Sequence, residues 1–330
     1  MEPYRYQPPT PRSPRRPAFR IWIIAMVVVL GGVALLSRLT PEPAGPIITE
    51  AVSTPIAAAK IVATISPLRP HFSYAWLEEN PAPALSNFTA VSAILVDLSN
   101  NSVVYARNEH EQRAPASTTK ILTAIIALEH SEPGLKVLVS ERAGSAEPNV
   151  MGLRTGEVVT LEILLYGMML DSGNDAAIAV AEGTLGYDEF VQAMNAKVQE
   201  LGLQNTKFSN PTGFDEDTLP HYSSAHDLAA LADYALDRTP GIIEYASEVH
   251  IQFTATEEHG WYGPQNLNKL LSTYAGTYGL KPGWTPDAGY CLVAVAERNG
   301  RHLLAVVLGS TQHFTDAAIL LDYGFAQVVP

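Results

Sequence analysis

Cysteine is nearly absent: the 330-residue chain holds one, Cys291. That excludes an internal disulfide framework, even in a compartment that would permit one. Cys291 sits inside an apolar strand pattern, which reads as a small core residue rather than a nucleophile. Basic side chains are also scarce where a polyanion would need them. Six of the 21 and only one of the 34 acids fall at or before residue 38, leaving 15 cations against 33 anions beyond it. No nucleic-acid partner is expected of such a surface, because phosphates need a basic footprint; the acidity reads as solubility. The nine histidines are scattered and no H-E-x-x-H spacing occurs, so neither a catalytic metal nor another cofactor is expected.

What is present at the N-terminus addresses location. Residues 1–20 carry Arg5, Arg12, Arg15, Arg16 and Arg20 against Glu2 alone, and the uncharged run "IWIIAMVVVLGGVALLS" follows over 21–37. A bilayer core takes about 20 apolar residues, with about 17 as the lower limit, and Arg20 and Arg38 extend the run by snorkelling. The basic flank places 1–20 in the cytoplasm, 21–37 as a single transmembrane helix in the cell membrane and the remainder outside. A cleaved signal sequence is the competing reading; no small-x-small site follows closely, since "PEPAG" has Glu42 where a small residue is wanted.

Residues 39–84 hold eight prolines and no sustained periodicity, the pattern of a semi-rigid linker. A domain over 85–330 follows. "AILVDLSNNSVVYARN" predicts two strands around Asn100-Asn101, and "STTKILTAIIALEH" a helix over 118–130. "TLEILLYGMML" predicts a buried helix capped by Thr160, "AAIAVAEG" another beyond the loop "DSGND", and "DEFVQAMNAKVQELG" one ending at Gly202. Ser224 caps a further helix. The final third predicts strands at "VHIQFTA", "AGYCLVAVAE" and "RHLLAVVLG", the last two joined through Asn299-Gly300, a strong hairpin signal. A helix over "DAAILLDYGFAQ" closes the chain. Strands at both ends with helices between them predict an α+β domain, an antiparallel sheet whose first and last strands meet plus a helical lobe.

Three short segments carry chemistry. "PASTTKILTA" puts Ser117 and Lys120 one helical turn apart, where the amine can lie beside the hydroxyl. A serine needs a base to take its proton, and a lysine serves if its pKa is lowered, as a second lysine nearby would do. The plainer reading is a capping serine and a solvated lysine. "DSGND" offers Ser172 to relay a proton and Asn174 to hold a carbonyl; locally, Gly173 makes a turn and Asn174 caps a helix. "LKPGWT" offers Lys281 followed by Pro282 and Gly283.

Taken in order, S-x-x-K, S-x-N and K-x-G form the triple of the penicillin-recognising serine acyl-transferases. The chain resembles the D-alanyl-D-alanine carboxypeptidases, the low-molecular-mass penicillin-binding proteins, over about 88–328. Stretches such as "LLYGMMLDSGNDAAIAVAE" and "FVQAMNAKVQELGLQNTKFSNPTGF" carry the likeness, and it implies a penicillin-binding-protein/β-lactamase-like fold. It also implies Ser117 as acylated nucleophile, Lys120 as its base, Ser172 as proton relay to the departing D-alanine and Asn174 as substrate-positioning amide. Lys281 would complete the polar network, the backbone N–H groups of Ser117 and Trp284 would make the oxyanion hole, and Lys281, Gly283, Trp284, Thr285 and His313 would contact substrate. The implied substrate is the peptidoglycan stem peptide ending in D-Ala-D-Ala, with β-lactams acylating the same serine.

The sequence departs from that family in three places. Pro282 stands where the K-T-G box has threonine, "STQHFTDAA" lacks the arginine that helps hold the substrate carboxylate, and no β-rich domain follows Pro330, so the N-terminal helix is expected to be the tether. Proline is tolerated on an edge strand, and a strand that pairs with substrate is an edge. Carboxylate recognition is therefore expected to shift to Thr285 or His313. Two other functions are weighed: a β-lactamase-like hydrolase, for which "ELGLQN" comes near the deacylation motif but sits at a helix end, and a peptidoglycan-binding protein on a weakened enzyme scaffold.

Overall fold

The computed structural model describes residues 72–215 and 219–329. The expected cytoplasmic segment 1–20, the transmembrane helix 21–37 and most of the linker lie outside them. Among the described residues no helix is long and apolar enough to cross a membrane.

The described chain opens with a short helix, α1 (Ala75–Glu79), tied to the body where the Ser73 N–H donates to Asn101 O. The strands β1 (Ser92–Asp97) and β2 (Ser102–Arg107) form the expected first hairpin. A 3-10 turn, Ala116–Thr119, runs straight into α2 (Lys120–His130). A small two-stranded sheet then forms from β3 (Lys136–Leu138) and β4 (Val158–Thr160), with α3 (Glu141–Gly144) between them. The helical lobe continues with α4 (Leu161–Met169), α5 (Asn174–Thr184), α6 (Tyr187–Glu200), α7 (Ala225–Arg238) and α8 (Ile242–Ser247). Thr160 caps α4, its hydroxyl accepting from the Ile163 N–H, and Ser224 caps α7 through the Asp227 N–H, as their sequence positions predict. The one-turn α9 (Leu270–Thr273) leads into β5 (Thr277–Thr285), β6 (Gly289–Arg298), β7 (Arg301–Ser310) and the closing α10 (His313–Ala326).

The main sheet has the order β2-β1-β7-β6-β5, with β1 and β7 antiparallel neighbours, so the first and last strands of the domain do meet. The β6–β7 hairpin turns at Asn299 (φ 56°) and Gly300 (φ 79°), the left-handed pair that a two-residue turn requires. The strands read as unbroken apolar runs because the sheet is buried on both faces. Successive side chains point to opposite sides, so Ile94, Val96, Val293 and Val306 join the core of the helical lobe. Ala93, Leu95, Ala294 and Ala305 face Leu320 and Leu321 of α10. The small residues on that second side let the helix lie close.

One strand prediction is corrected. The stretch 249–255, "VHIQFTA", makes only isolated bridges, His250 to Gln265 and Phe253 to Tyr262. Its alternation is real, with Ile251 and Phe253 packed on the core. The segment opposite contains Pro264, however, which accepts from Ile251 N–H but has no N–H to return, and the ladder does not propagate. The two edges of the main sheet fall on β2 and β5, and β5 is the strand that carries Lys281, Pro282 and Gly283.

Candidate active site

Ser117 sits in the 3-10 turn, one step after Ala116 at φ 48°. That left-handed backbone costs a non-glycine residue roughly 1–3 kcal/mol and persists only where the surroundings hold it. They do. The Thr118 hydroxyl donates to Pro115 O at 2.7 Å, and Thr119 Oγ1 lies 2.9 Å from His221 Nε2. His221 Nδ1 accepts from the Ser209 N–H at 3.1 Å, which leaves the proton on Nε2 for the Thr119 oxygen. Burial pushes His221 down to about 4, so it acts as a neutral strut between the nucleophile turn and the segment 206–210.

Lys120 begins α2 with 0% exposure. Its Nζ lies 3.0 Å from Ser117 Oγ, 2.8 Å from Asn174 Oδ1 and 2.5 Å from Thr212 O. Burial, and then the charge of Lys281, hold its pKa well below the ordinary lysine value. A neutral amine has two hydrogens and one lone pair. Asn174 Oδ1 and the Thr212 carbonyl can only accept, so they take the two hydrogens, and the lone pair is left facing the Ser117 hydroxyl.

Each acceptor is itself set. Asn210 Oδ1 receives the Thr212 N–H, the Thr212 hydroxyl and the Gly213 N–H, a turn that aims the Thr212 carbonyl at Lys120. Gly213 has φ 77°, and a Cβ there would fall 1.9 Å from Ala116 O. Asn174 donates through Nδ2 to Glu147 O and Pro148 O, which turns Oδ1 toward Lys120. Those carbonyls belong to a loop fixed by Asp175, whose carboxylate accepts from the N–H groups of Met151, Gly152 and Leu153, each at 2.9 Å. Ser172 stands in the loop between α4 and α5 at φ 62°.

Lys281 is wholly buried on β5, and its Nζ has no hydrogen-bond partner among the described residues. Burial pulls its pKa down to about 7, opposed by Asp171; desolvation in turn raises Asp171. Beside Lys281, β5 closes on Ser117. A Cβ on Gly283 would lie 2.8 Å from Ser117 N and 3.2 Å from Thr118 N, so only glycine lets the strand reach the serine's amide.

The cleft between these elements has a volume of ≈ 450 Å³ and is lined by Ser117, Ser172, Asn174, Gly283, Thr285 and His313, among others. The far wall is aromatic. Trp284 is 56% exposed, and Tyr290 stacks on His313 with centroids 4.8 Å apart and planes 5° apart. His313 also meets Phe314 at 3.9 Å. Burial drives His313 down to about 4, so the imidazole expected to take over carboxylate recognition is uncharged at neutral pH. Thr285 Oγ1 accepts from the Ala288 N–H and keeps its own hydrogen for the cleft. Pro282 lines the same cleft on the edge strand, as its tolerance there required.

All the predicted catalytic residues therefore come together around one cleft. The sequence reading missed Asp175 and His221, which reveal themselves through hydrogen bonds across long sequence separations, and Asn210, whose local turn matters only because it aims the Thr212 carbonyl at Lys120. It also missed Lys269, which lines the cleft just ahead of α9. Among the described residues no cluster of three or more metal-ligating side chains occurs.

A family model described as D-alanyl-D-alanine carboxypeptidase matches residues 78–312. The chain is 38% identical to D-alanyl-D-alanine carboxypeptidase DacF of Bacillus subtilis over 248 residues, covering 72% of this chain and 62% of that protein. It is 32% identical to DacB2 of Mycobacterium tuberculosis, covering 76% of this chain and 89% of that one. Among solved structures, a D-alanyl-D-alanine carboxypeptidase of M. tuberculosis superposes with a TM-score of 0.70 at 31% identity, over 75% of this chain and 95% of that one. A Streptomyces DD-transpeptidase superposes with a TM-score of 0.66 at 30% identity, over 73% and 99% of the two chains. The fold is thus the α+β architecture of the DD-peptidases. Within that class, the chain belongs to the D-alanyl-D-alanine carboxypeptidase family.

Proposed function

We propose that the protein is a serine D,D-carboxypeptidase that removes the terminal D-alanine of peptidoglycan stem peptides through an acyl-enzyme on Ser117. The observation that carries this reading is the fully buried Lys120 amine, 3.0 Å from Ser117 Oγ, with both its hydrogens committed elsewhere. As Oγ attacks the penultimate carbonyl, its proton passes to Lys120 Nζ and the new C–O bond forms. The oxyanion is received by the N–H groups of Ser117 and Trp284. When the C–N bond breaks, the departing amine gains a proton by way of Ser172, with Lys281 holding the charge of the network. Water then hydrolyses the ester. Asn174, whose Nδ2 already donates to Glu147 O and Pro148 O, serves by orienting Lys120 through Oδ1, and Gly283, Thr285 and His313 line the side on which the last residue lies.

β-Lactams would acylate the same serine, because they present a reactive carbonyl followed by a carboxylate as the peptide does. The basic segment 1–20 and the apolar run 21–37 support a single-pass tether in the cell membrane with the domain outside. Fractionation of cells expressing the full chain and a chain lacking 1–38 tests that tether; equal release of both into the soluble fraction would count against it.

The enzymatic reading is tested by incubating the full chain with a fluorescent penicillin, mapping the label, and assaying D-alanine release from an acyl-D-Ala-D-Ala peptide. A long-lived adduct on Ser117, its loss in Ser117→Ala and a fall in D-alanine release of about 10⁴-fold or more are expected. Absence of both label and D-alanine from the unmutated chain overturns the assignment, and rapid turnover of the adduct would favour a β-lactamase.

A further inference from the structure

We propose that Lys269 supplies the positive charge that holds the substrate's terminal carboxylate. This rests on the carboxypeptidase reading and assigns a residue to one end of that site. The cleft has lost the hydroxyl that a threonine at 282 would give, and Phe314 and uncharged His313 occupy the wall after the last strand. Lys120 and Lys281 are both fully buried in the catalytic network. That leaves Lys269 as the charged side chain on the lining of the cleft.

Its setting suits the task. Lys269 is exposed, and among the described residues it makes no ion pair, although the protein as a whole carries 34 acids against 21 lysines and arginines. It shares the cleft lining with Thr285, Tyr290 and His313, and its charge opposes protonation of His313. Its backbone is anchored: Lys269 O accepts from the Thr273 hydroxyl at 2.8 Å, and the preceding Asn268 is buried with Nδ2 donating to Gly279 O on β5. The ammonium is therefore carried on a stem fixed to the same strand that lines the substrate. In this arrangement a carboxylate lying along β5 is held by the Thr285 hydroxyl and the Lys269 ammonium, which line the same cleft. A lysine is a single flexible point charge rather than a fork, so the grip is looser than a bidentate arginine and depends on salt.

The test compares an acyl-D-Ala-D-Ala peptide with the matching acyl-D-alanine methyl ester, which has no terminal carboxylate. In Lys269→Gln the ratio of kcat/KM for peptide over ester is expected to fall about 10–50-fold, mostly through KM for the peptide, and Lys269→Arg is expected to restore it. A weaker dependence of peptide KM on added salt in Lys269→Gln is the companion result. A ratio unchanged in Lys269→Gln, with both substrates still turned over, overturns the Lys269 assignment and leaves the carboxypeptidase standing. Turnover of neither substrate by the unmutated chain overturns both.

Discussion

The two sides of the cleft are built by opposite rules. On the Ser117 side, Lys120 and the groups that orient it are held by second groups that are themselves held. Lys120 is fixed by Asn174 and Thr212, and these in turn by the 147–153 loop and by Asn210. On the side proposed to take the leaving group, Trp284 and Tyr290 are exposed, His313 is stacked but uncharged, and the exposed Lys269 lines the cleft. In the proposed reaction the first side performs acyl transfer, where a displacement of about 1 Å costs on the order of 100-fold in rate. The second recognises one end of a substrate, where a few kcal/mol can be supplied by different donors. The contrast says which half of the site can change without ending the reaction.

The largest effect is expected where the rigid half is broken without touching a reacting atom. Gly213→Ala places a methyl group 1.9 Å from Ala116 O and demands φ 77° of an alanine. The turn carrying Ser117 must move, and so must the Thr212 carbonyl that orients Lys120. The acylation rate with a fluorescent penicillin is expected to fall about 100-fold or more, with stability lowered by roughly 1–3 kcal/mol. Trp284→Ala, on the open half, is expected to stay folded and to be labelled at Ser117 far faster than Gly213→Ala. Equal losses in the two variants would erase the distinction between the halves.

The same division governs what the sequence disclosed. The strand and helix order was legible because both faces of the sheet and the lobe interior are apolar, and Thr160 and Ser224 mark their helix starts by chemistry alone. Ser117, Lys120, Ser172, Asn174 and Lys281 were legible as ordered motifs, since their residue types and local spacings are written in the sequence. Asp175 was not, although it stands next to Asn174, because its work is to receive N–H groups more than 20 residues upstream. His313, expected to contact the substrate carboxylate, lines the cleft but is left uncharged by its burial. The strand at 249–255 failed for a related reason: alternation reports which face is buried, whereas pairing depends on the partner, here interrupted by Pro264.

Lys281 ties function to a cost in stability. Its folded value of about 7 lies below the ordinary lysine value of 10.5, so between these the unfolded chain binds more protons and stability rises with pH. The penalty is absent above the unfolded value, grows as pH falls, and is complete below about 7. Lys281→Met removes the buried amine. It is expected to stabilise the protein by about 1–4 kcal/mol near pH 6, with the gain shrinking toward pH 10, while slowing acylation. Thermal melts across that range measure the gain. A gain that stays constant or grows with pH would mean that the lysine is not held in its neutral form.

The smallest effect, and the most specific, belongs to Pro282. The residue lies on the edge strand β5, its ring in the cleft, so threonine can replace it without breaking the sheet. Pro282→Thr adds one hydroxyl donor on the leaving-group side and leaves the Ser117–Lys120–Asn174 network as it is. One hydrogen bond to a charged group contributes about 1.5–3 kcal/mol. Part of that is offset, because proline already holds Lys281 in extended geometry. A gain of about 3–30-fold in kcat/KM is expected on an acyl-D-Ala-D-Ala peptide, against less than about 2-fold on the methyl ester that lacks the carboxylate. Equal gains on both substrates would mean that the threonine acts on acylation itself. The open half of the cleft would then not be separable from the rigid one.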